Sequence, residues 1–526
     1  MSAAPPRQLV FGLDAAEWML VERWAREGKM PAFAALMERG AHGVLSTTAG
    51  QLPDTVWSCI YGGRNPATFE KHFYVQYDAA TRDLRHVKDD AFTKRPFWDI
   101  LSDAGRTVGV VDAVKFTTSP SLNGFQLTNW GAHATKAPRS SLPAGLFAEV
   151  ERKFGLHPVQ DCDKVDSDKP AQLRELRQWC IDGVRLRGEM NRWLMKERAW
   201  DDLFLCYSEP HCIGHHYWHW LDDTHPRHGE NDTHGLSDSI EAVYRAMDEE
   251  IGKTIELAGD DTRVMIVAGH GMGPLYHASW NLEEILDRLG FGRDGAPAPA
   301  DANAGDRDTG NKGKTNFWRM LKMTLPGKLQ YAIKSVLPEA VQDELLFRWY
   351  AGKRDWKGRR AFPVPNNDAV GAIRVSVKGR DKDGVVPPEQ HRAVIEEIKG
   401  AIEELEDPKT GRKVADEVVI LRDRYDGDHL EGLPDLTIHW DSTFPWDTLR
   451  SPRFGTLEIV NQDGRTGSHT SRGFVIAAGP GVPAGTVLEG HSIYDVAPTI
   501  LATAGLPVPD DMDGAPRPIL GDRVSV

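Results

Sequence analysis

No run of about 18 consecutive apolar residues occurs in the 526-residue chain, so the sequence predicts no helix that spans a membrane. Positive charge is not in excess either. The formal net charge is -14, which argues against phosphate-backbone binding as the main activity, because such binding needs a clear cationic surface. Cysteine is scarce: Cys59, Cys162, Cys180, Cys206 and Cys212 make an odd count with no CxxC spacing. That fits a reducing cytoplasm better than a disulfide framework. The opening MSAAPPRQLVFGLD lacks the apolar core of a signal peptide, and there is no internal repeat. A cytoplasmic location is the expectation that follows. Hydrophobic content of 40% and charged content of 27% are ordinary for a globular protein with a large core.

What the chain does contain is a rhythm of short apolar runs and amphipathic stretches. RQLVFGLD precedes EWMLVERWAREGKMPAFAALMERG, which has helical apolar spacing. TVGVVDA, DDLFLCYS, TRVMIVAG and RGFVIAAG are short, apolar and bounded by Gly, Asp or Ser. Such alternation predicts an α/β fold: a doubly wound, mostly parallel sheet with helices on both faces. The expected layout is a first core part over 1–292 and a Gly/Ala/Pro/Asp-rich flexible linker over 293–314. A basic helical cap over 315–362, a smaller α+β insertion over 363–440 and a closing core part over 441–526 would follow. The cap carries Lys322, Lys328, Lys334 and Arg348. It reads as a solvated helical face, with weak membrane-surface contact as the other use of that charge.

The chemistry-bearing residues fall where apolar strands run out. Asp14 ends LVFGLD. His211 and His215 follow LFLCYSEP, His270 follows VMIVAG, and His469 lies in GRTGSHTSRG just before FVIAAG. In open α/β sheets, ligands bind outside the carboxyl ends of strands. His211 and His215 are spaced i, i+4, which on a helix puts both imidazoles on one face, able to bind one metal. His216 and His219 read as structural neighbours. Glycines on both sides of His270 allow close approach to a ligand. An Asp at a strand end is by itself often only a helix cap. Asp435, Asp495 and Asp513 read as structural, and the many Trp as packing.

These segments, with VWSCIYGGRNP, EPHCIGHHYWH, VAGHGMGP, GSHTSRGFVIAAGPG and YDVAPTILATAGLPVPDDMDG, resemble the alkaline-phosphatase superfamily. The branch they are most similar to is the type I phosphodiesterase/nucleotide pyrophosphatases, in particular its phosphohydrolases. The resemblance covers roughly residues 7–292 and 355–515. It implies a two-metal site, usually zinc, that clamps the attacking and leaving oxygens of a phosphoryl transfer, with a Thr or Ser nucleophile. Carried over by position, Asp14 and His270 would bind one metal, and His215 and His469 the other.

Three positions depart from that pattern. His211 replaces an Asp ligand, Gly269 replaces another, and Pro53 stands where the nucleophile is expected. Thr55 is the nearest hydroxyl and Ser58 the next. About two negative charges are lost from the metal shell, so a second metal would bind weakly or not at all. A His-rich shell suits zinc, iron or nickel and suits magnesium or calcium poorly; manganese is a further alternative. His211, His215 and His469 could hold a single zinc with an open position.

The expected function is therefore metal-dependent hydrolysis of phosphate esters, with phosphodiester or phospho-conjugate substrates. One or two zinc ions would serve, and water or Thr55 would attack phosphorus. Glu209 would act as ligand or general base, and Arg472 would stabilise developing charge. Two alternatives stay open: a single transition metal acting on a non-phosphate bond or transferring a group, and a degenerate member that binds a ligand and catalyses nothing.

Overall fold

A computed structural model describes residues 5–517 apart from 90–93, 133–137, 161, 163–164, 168, 230–234, 277–278, 294–346, 348–355, 368 and 460–463. Almost all of the linker and cap expected over 293–362 lies outside the described residues.

The central sheet has nine strands. In chain order they are β1 (Gln8–Leu13), β2 (Ala41–Ser46), β3 (Val108–Val111), β4 (Gly124–Thr128), β5 (Ser140–Leu142), β6 (Asp202–Tyr207), β7 (Arg263–Ala268), β8 (Gly473–Ala478) and β9 (Thr486–Ser492). Their spatial order is β9-β2-β8-β7-β1-β6-β3-β4-β5. Strands β7, β1, β6, β3 and β4 pair in parallel. Strand β8 runs against β7 and β2, and β5 runs against β4. The sheet is mostly parallel and wound on both faces, as the alternating sequence pattern predicts.

Burial explains why these strands read as continuous apolar runs rather than alternating ones. QLVFGL and DLFLCY are buried at every position, because helices cover both faces of a parallel sheet. Leu9, Phe11, Leu205 and Ile266 pack into one apolar cluster. Val10, Phe204, Cys206 and Val267, their neighbours along the strands, pack into another on the opposite face. A third cluster is separate. It gathers Ile373, Ile395, Ile398, Leu436 and Ile438 around a four-stranded sheet and the His391–Glu403 helix. Leu282 and Leu457 also belong to it, so its apolar contacts reach beyond both 363 and 440.

The topology sets the site. Strands β1, β6, β7 and β3 end at one edge of the sheet. The antiparallel β8 starts there, and a two-stranded ribbon pairs Gly271–Pro274 with Gly467–Thr470, Met272 opposite His469. That ribbon delivers His469 to the edge where Asp14 and His270 already sit.

Candidate active site

His211 and His215 lie in the first turns of the Glu209–Leu221 helix, entered directly from β6. Their rings meet edge-on with centroids 4.5 Å apart. His469 closes the group: its Nε2 is 2.8 Å from His211 Nε2. One donor nitrogen from each of His211, His215 and His469 lies within 4.8 Å of the others. The backbone decides the tautomer of His215. Its Nδ1 donates to the Gly467 carbonyl at 2.7 Å, and since a carbonyl only accepts, Nε2 carries the lone pair. Burial, and then the neighbouring His270 and His215, hold the His469 imidazole well below its ordinary pKa, so it is neutral near pH 7. Imidazole nitrogens converging on one point are what a borderline cation such as zinc requires.

Asp14 and His270 stand beside this cluster. The His270 and His469 ring centroids are 4.5 Å apart. His270 is buried, neither ring nitrogen has a hydrogen-bond partner among the described residues, and its Nε2 is 3.8 Å from Asp14 Oδ1. Trp57 Nε1 donates to that same oxygen at 2.8 Å. The pair supplies two donors where catalytic zinc takes three from protein. The family resemblance would put the third at residue 269. A side chain there has no room: a Cβ on Gly269 would meet Val56 Cγ1 at 2.3 Å and Ile60 Cδ1 at 2.7 Å. The missing carboxylate is thus not a simple truncation, because the Val56–Gly62 helix fills its place with apolar side chains. Gly269→Ala is expected to cost about 1–3 kcal/mol by overpacking, read as a lower melting temperature, while metal content stays unchanged. A melting temperature equal to wild type would mean the space is open after all.

Cys162, Cys212 and His211 form another set of donor atoms within 4.8 Å of one another. All three are buried, so that set offers a substrate no open position, whereas the three-histidine set opens through the partly exposed His469.

Two expected roles change in the structure. Thr55 is 0% exposed, and its hydroxyl donates to the Leu52 carbonyl at 2.7 Å and pairs with Thr48 Oγ1 at 3.0 Å. A hydroxyl so committed is closed to an incoming phosphorus atom. Glu209 is not poised as a base. Its Oε1 accepts from Arg187 Nε at 2.9 Å and from His157 Nε2 at 2.8 Å. Burial would raise its pKa, but the Arg187 charge and His157 outweigh that and pull it down to about 2. Glu209 anchors the start of the histidine helix instead. Arg472 is 55% exposed, 4.0 Å from Glu17 Oε1, and can turn toward an anion. His216 bonds Ser167 and the Cys162 carbonyl, and His219 bonds Thr466, as structural neighbours would.

Sequence reasoning misses Glu17. Its carboxylate accepts from Met272 N at 3.2 Å and from Thr470 Oγ1 at 3.0 Å, tying the Asp14 loop to the ribbon that carries His469. Its place three residues after Asp14 is the one available signal.

A family model described as type I phosphodiesterase / nucleotide pyrophosphatase matches residues 8–453. The chain belongs to that family. It is accordingly an enzyme, a phosphohydrolase, and the phosphodiesterase resemblance of its strand-end motifs is confirmed. Curated proteins give no match. Solved structures align with this chain at low identity. Murine ectonucleotide pyrophosphatase / phosphodiesterase 5 aligns over 96% of each chain with 12% identity and a TM-score of 0.47. Phosphonoacetate hydrolase from Sinorhizobium meliloti, in complex with phosphonoformate, aligns over 94% of each chain with 15% identity and a TM-score of 0.44.

Proposed function

We propose that this phosphohydrolase acts on phosphodiesters or phospho-conjugates at a mononuclear centre whose ligands are His211, His215 and His469. The observation that carries the reading is the convergence of their three donor nitrogens within 4.8 Å at the edge where substrates of α/β sheets bind. The 2.8 Å approach of two imidazole Nε2 atoms fits it, since facing lone pairs repel unless a proton or cation lies between them. Zinc suits this donor set first, and iron, nickel or manganese follow. When bound, such a cation supplies Lewis-acid chemistry, drawing charge from a phosphoryl oxygen and making water a stronger acid near neutral pH.

The chain's own residues do the rest. His215 is oriented by the Gly467 carbonyl. Asp14 and His270, with Trp57 steadying the carboxylate, are placed to take a proton from attacking water. Arg472 meets the substrate's outer charge. Thr55 is not the nucleophile, because its hydroxyl bonds Leu52 and Thr48; water attacks instead.

Thr55→Val tests that point. Turnover is expected to stay within a few-fold of wild type, and intact-mass spectrometry to find no phosphoenzyme; stability drops by about 1 kcal/mol for the lost hydrogen bonds. An enzyme relying on that hydroxyl would lose several orders of magnitude in kcat. The proposal as a whole is tested by metal analysis of purified protein together with a chromogenic phosphodiester and monoester panel. One zinc per chain with diester turnover supports it. One iron or nickel with no ester turnover would favour chemistry on another bond. No metal and no turnover would leave a binding protein.

A further inference from the structure

Lys115 is a charged residue at the same sheet edge that lies outside the three-histidine set. It lies four residues beyond the end of β3, next in the sheet to β6, which leads into the His211 helix. Its backbone φ is +55°, a left-handed conformation that disfavours a lysine and persists only when surrounding structure imposes it. The surroundings do impose it. Tyr61 Oη donates to the carbonyl of the preceding Val114 at 3.2 Å, and the Tyr61 ring stacks on Trp57, the indole that holds Asp14.

The ammonium pairs with Asp54 Oδ1. Asp54 comes from the Pro53–Thr55 turn that leads into the helix filling the space over Gly269. The Lys115 side chain is 22% exposed and that of Asp54 9%. Asp54 Oδ2 is buried and has no hydrogen-bond partner among the described residues. An ammonium has three donors, and among the described residues Asp54 is the partner that Lys115 bonds. Burial alone would push the Lys115 pKa down, but the Asp54 charge, supported by Asp14 and Asp89, holds it above its ordinary value. The group is therefore a permanent cation. Through Tyr61, stacked on the Trp57 indole that bonds Asp14, the backbone carrying Lys115 is tied to the Asp14 edge of the centre.

We propose that Lys115, held in place by Asp54, is the phosphoryl-oxygen binding group of this active site, a fixed cation on the side where Val56 and Ile60 leave no room for another metal ligand. The inference rests on the reading that phosphoesters bind at this edge. Its ligand class is a tetrahedral phosphorus oxyanion, bound through one non-bridging oxygen by a charge-assisted hydrogen bond.

The test uses full-length, zinc-loaded protein, with inorganic phosphate as the probe, measured by titration calorimetry and as an inhibitor. In Lys115→Met, phosphate affinity is expected to fall about 10–100-fold, the value of a charged hydrogen bond, with zinc content unchanged. Lys115→Arg restores most of it. With a phosphodiester substrate, KM rises more than kcat falls. Lys115→Gln, which keeps a polar side chain, serves the same comparison if the methionine variant does not fold. Phosphate affinity within twofold of wild type in a folded, zinc-loaded variant overturns the proposal and makes the pair structural only. Failure of the functional reading looks different: wild-type protein would bind phosphate but hydrolyse no ester, and Lys115 would still be judged on binding. Wild-type protein that binds no phosphate overturns the assignment of Lys115.

Discussion

Replacing His469 with alanine is expected to strip the protein of its metal and to lower kcat/KM for a phosphodiester by about 10³-fold or more, the scale on which removal of a main electrostatic stabiliser acts. The reasoning is geometric. His211 and His215 come from one helix and can hold a cation from one side only. His469 arrives on a ribbon more than 250 residues away, its Nε2 2.8 Å from that of His211. Without it, two imidazoles remain, fewer than the three protein ligands of catalytic zinc sites. The fold itself should survive. His469 is partly exposed, and the ribbon keeps its backbone pairing and the hydrogen bond from Thr470 to Glu17. Elemental analysis, kinetics and circular dichroism on the same sample separate these outcomes. A folded His469→Ala protein with full zinc and full activity would remove this histidine from the site. His219→Ala is the contrasting control, since that ring bonds Thr466 and is no member of the donor set.

Arg187→Met is expected to cost about 3–5 kcal/mol of folding stability, the penalty for stranding buried charge. Arg187 lies in the Pro170–Glu197 helix and is 0% exposed. Its guanidinium donates to Asp112 Oδ2 at 2.5 Å, to Glu209 Oε1 at 2.9 Å and to the Gly131 carbonyl at 2.7 Å. Removing it leaves two carboxylates facing each other in the core. One of them starts the histidine helix, so zinc affinity should fall as well. The sign of the pH effect is defined. Glu209 in the folded protein titrates at about 2, below its ordinary 4.5. Its contribution is present above pH 4.5 and lost as the pH falls from there toward 2. In Arg187→Met that acid-side loss should largely vanish, because the carboxylate no longer gains on folding. Urea denaturation at several pH values measures both effects. A loss under about 1 kcal/mol, the size of an ordinary single hydrogen bond, would show that the network is not holding the helix.

Much of the candidate metal centre is legible in the amino-acid sequence. Asp14 and His270 follow apolar runs directly, and a strand end fixes where such a residue sits. His211 and His215 carry the i, i+4 spacing that a helix turns into a shared face. His469 is marked by its small-residue loop before β8. What is not legible depends on side-chain direction in three dimensions. Arg187 sits in a long helix rich in arginine and glutamate, where each charge looks like a solvated one, and its inward aim emerges only once Asp112 and Glu209 are placed. Thr55 is near Trp57 in sequence, but the Pro53–Thr55 turn rotates its hydroxyl onto Leu52. The loss of the carboxylate at Gly269 is visible along the chain, whereas its filling by Val56 and Ile60 is not, since those residues lie more than 200 positions away. Lys115 shows no pattern at all in the sequence; the loop after β3 gives it meaning.

X-ray absorption at the zinc edge of full-length protein, combined with zinc content, tests the central claim most directly. The account predicts one zinc per chain, with nitrogen and oxygen neighbours at about 2.0–2.1 Å and the outer scattering of imidazole rings. Two ions per chain, or sulfur scattering at about 2.3 Å from Cys162 and Cys212, would contradict it.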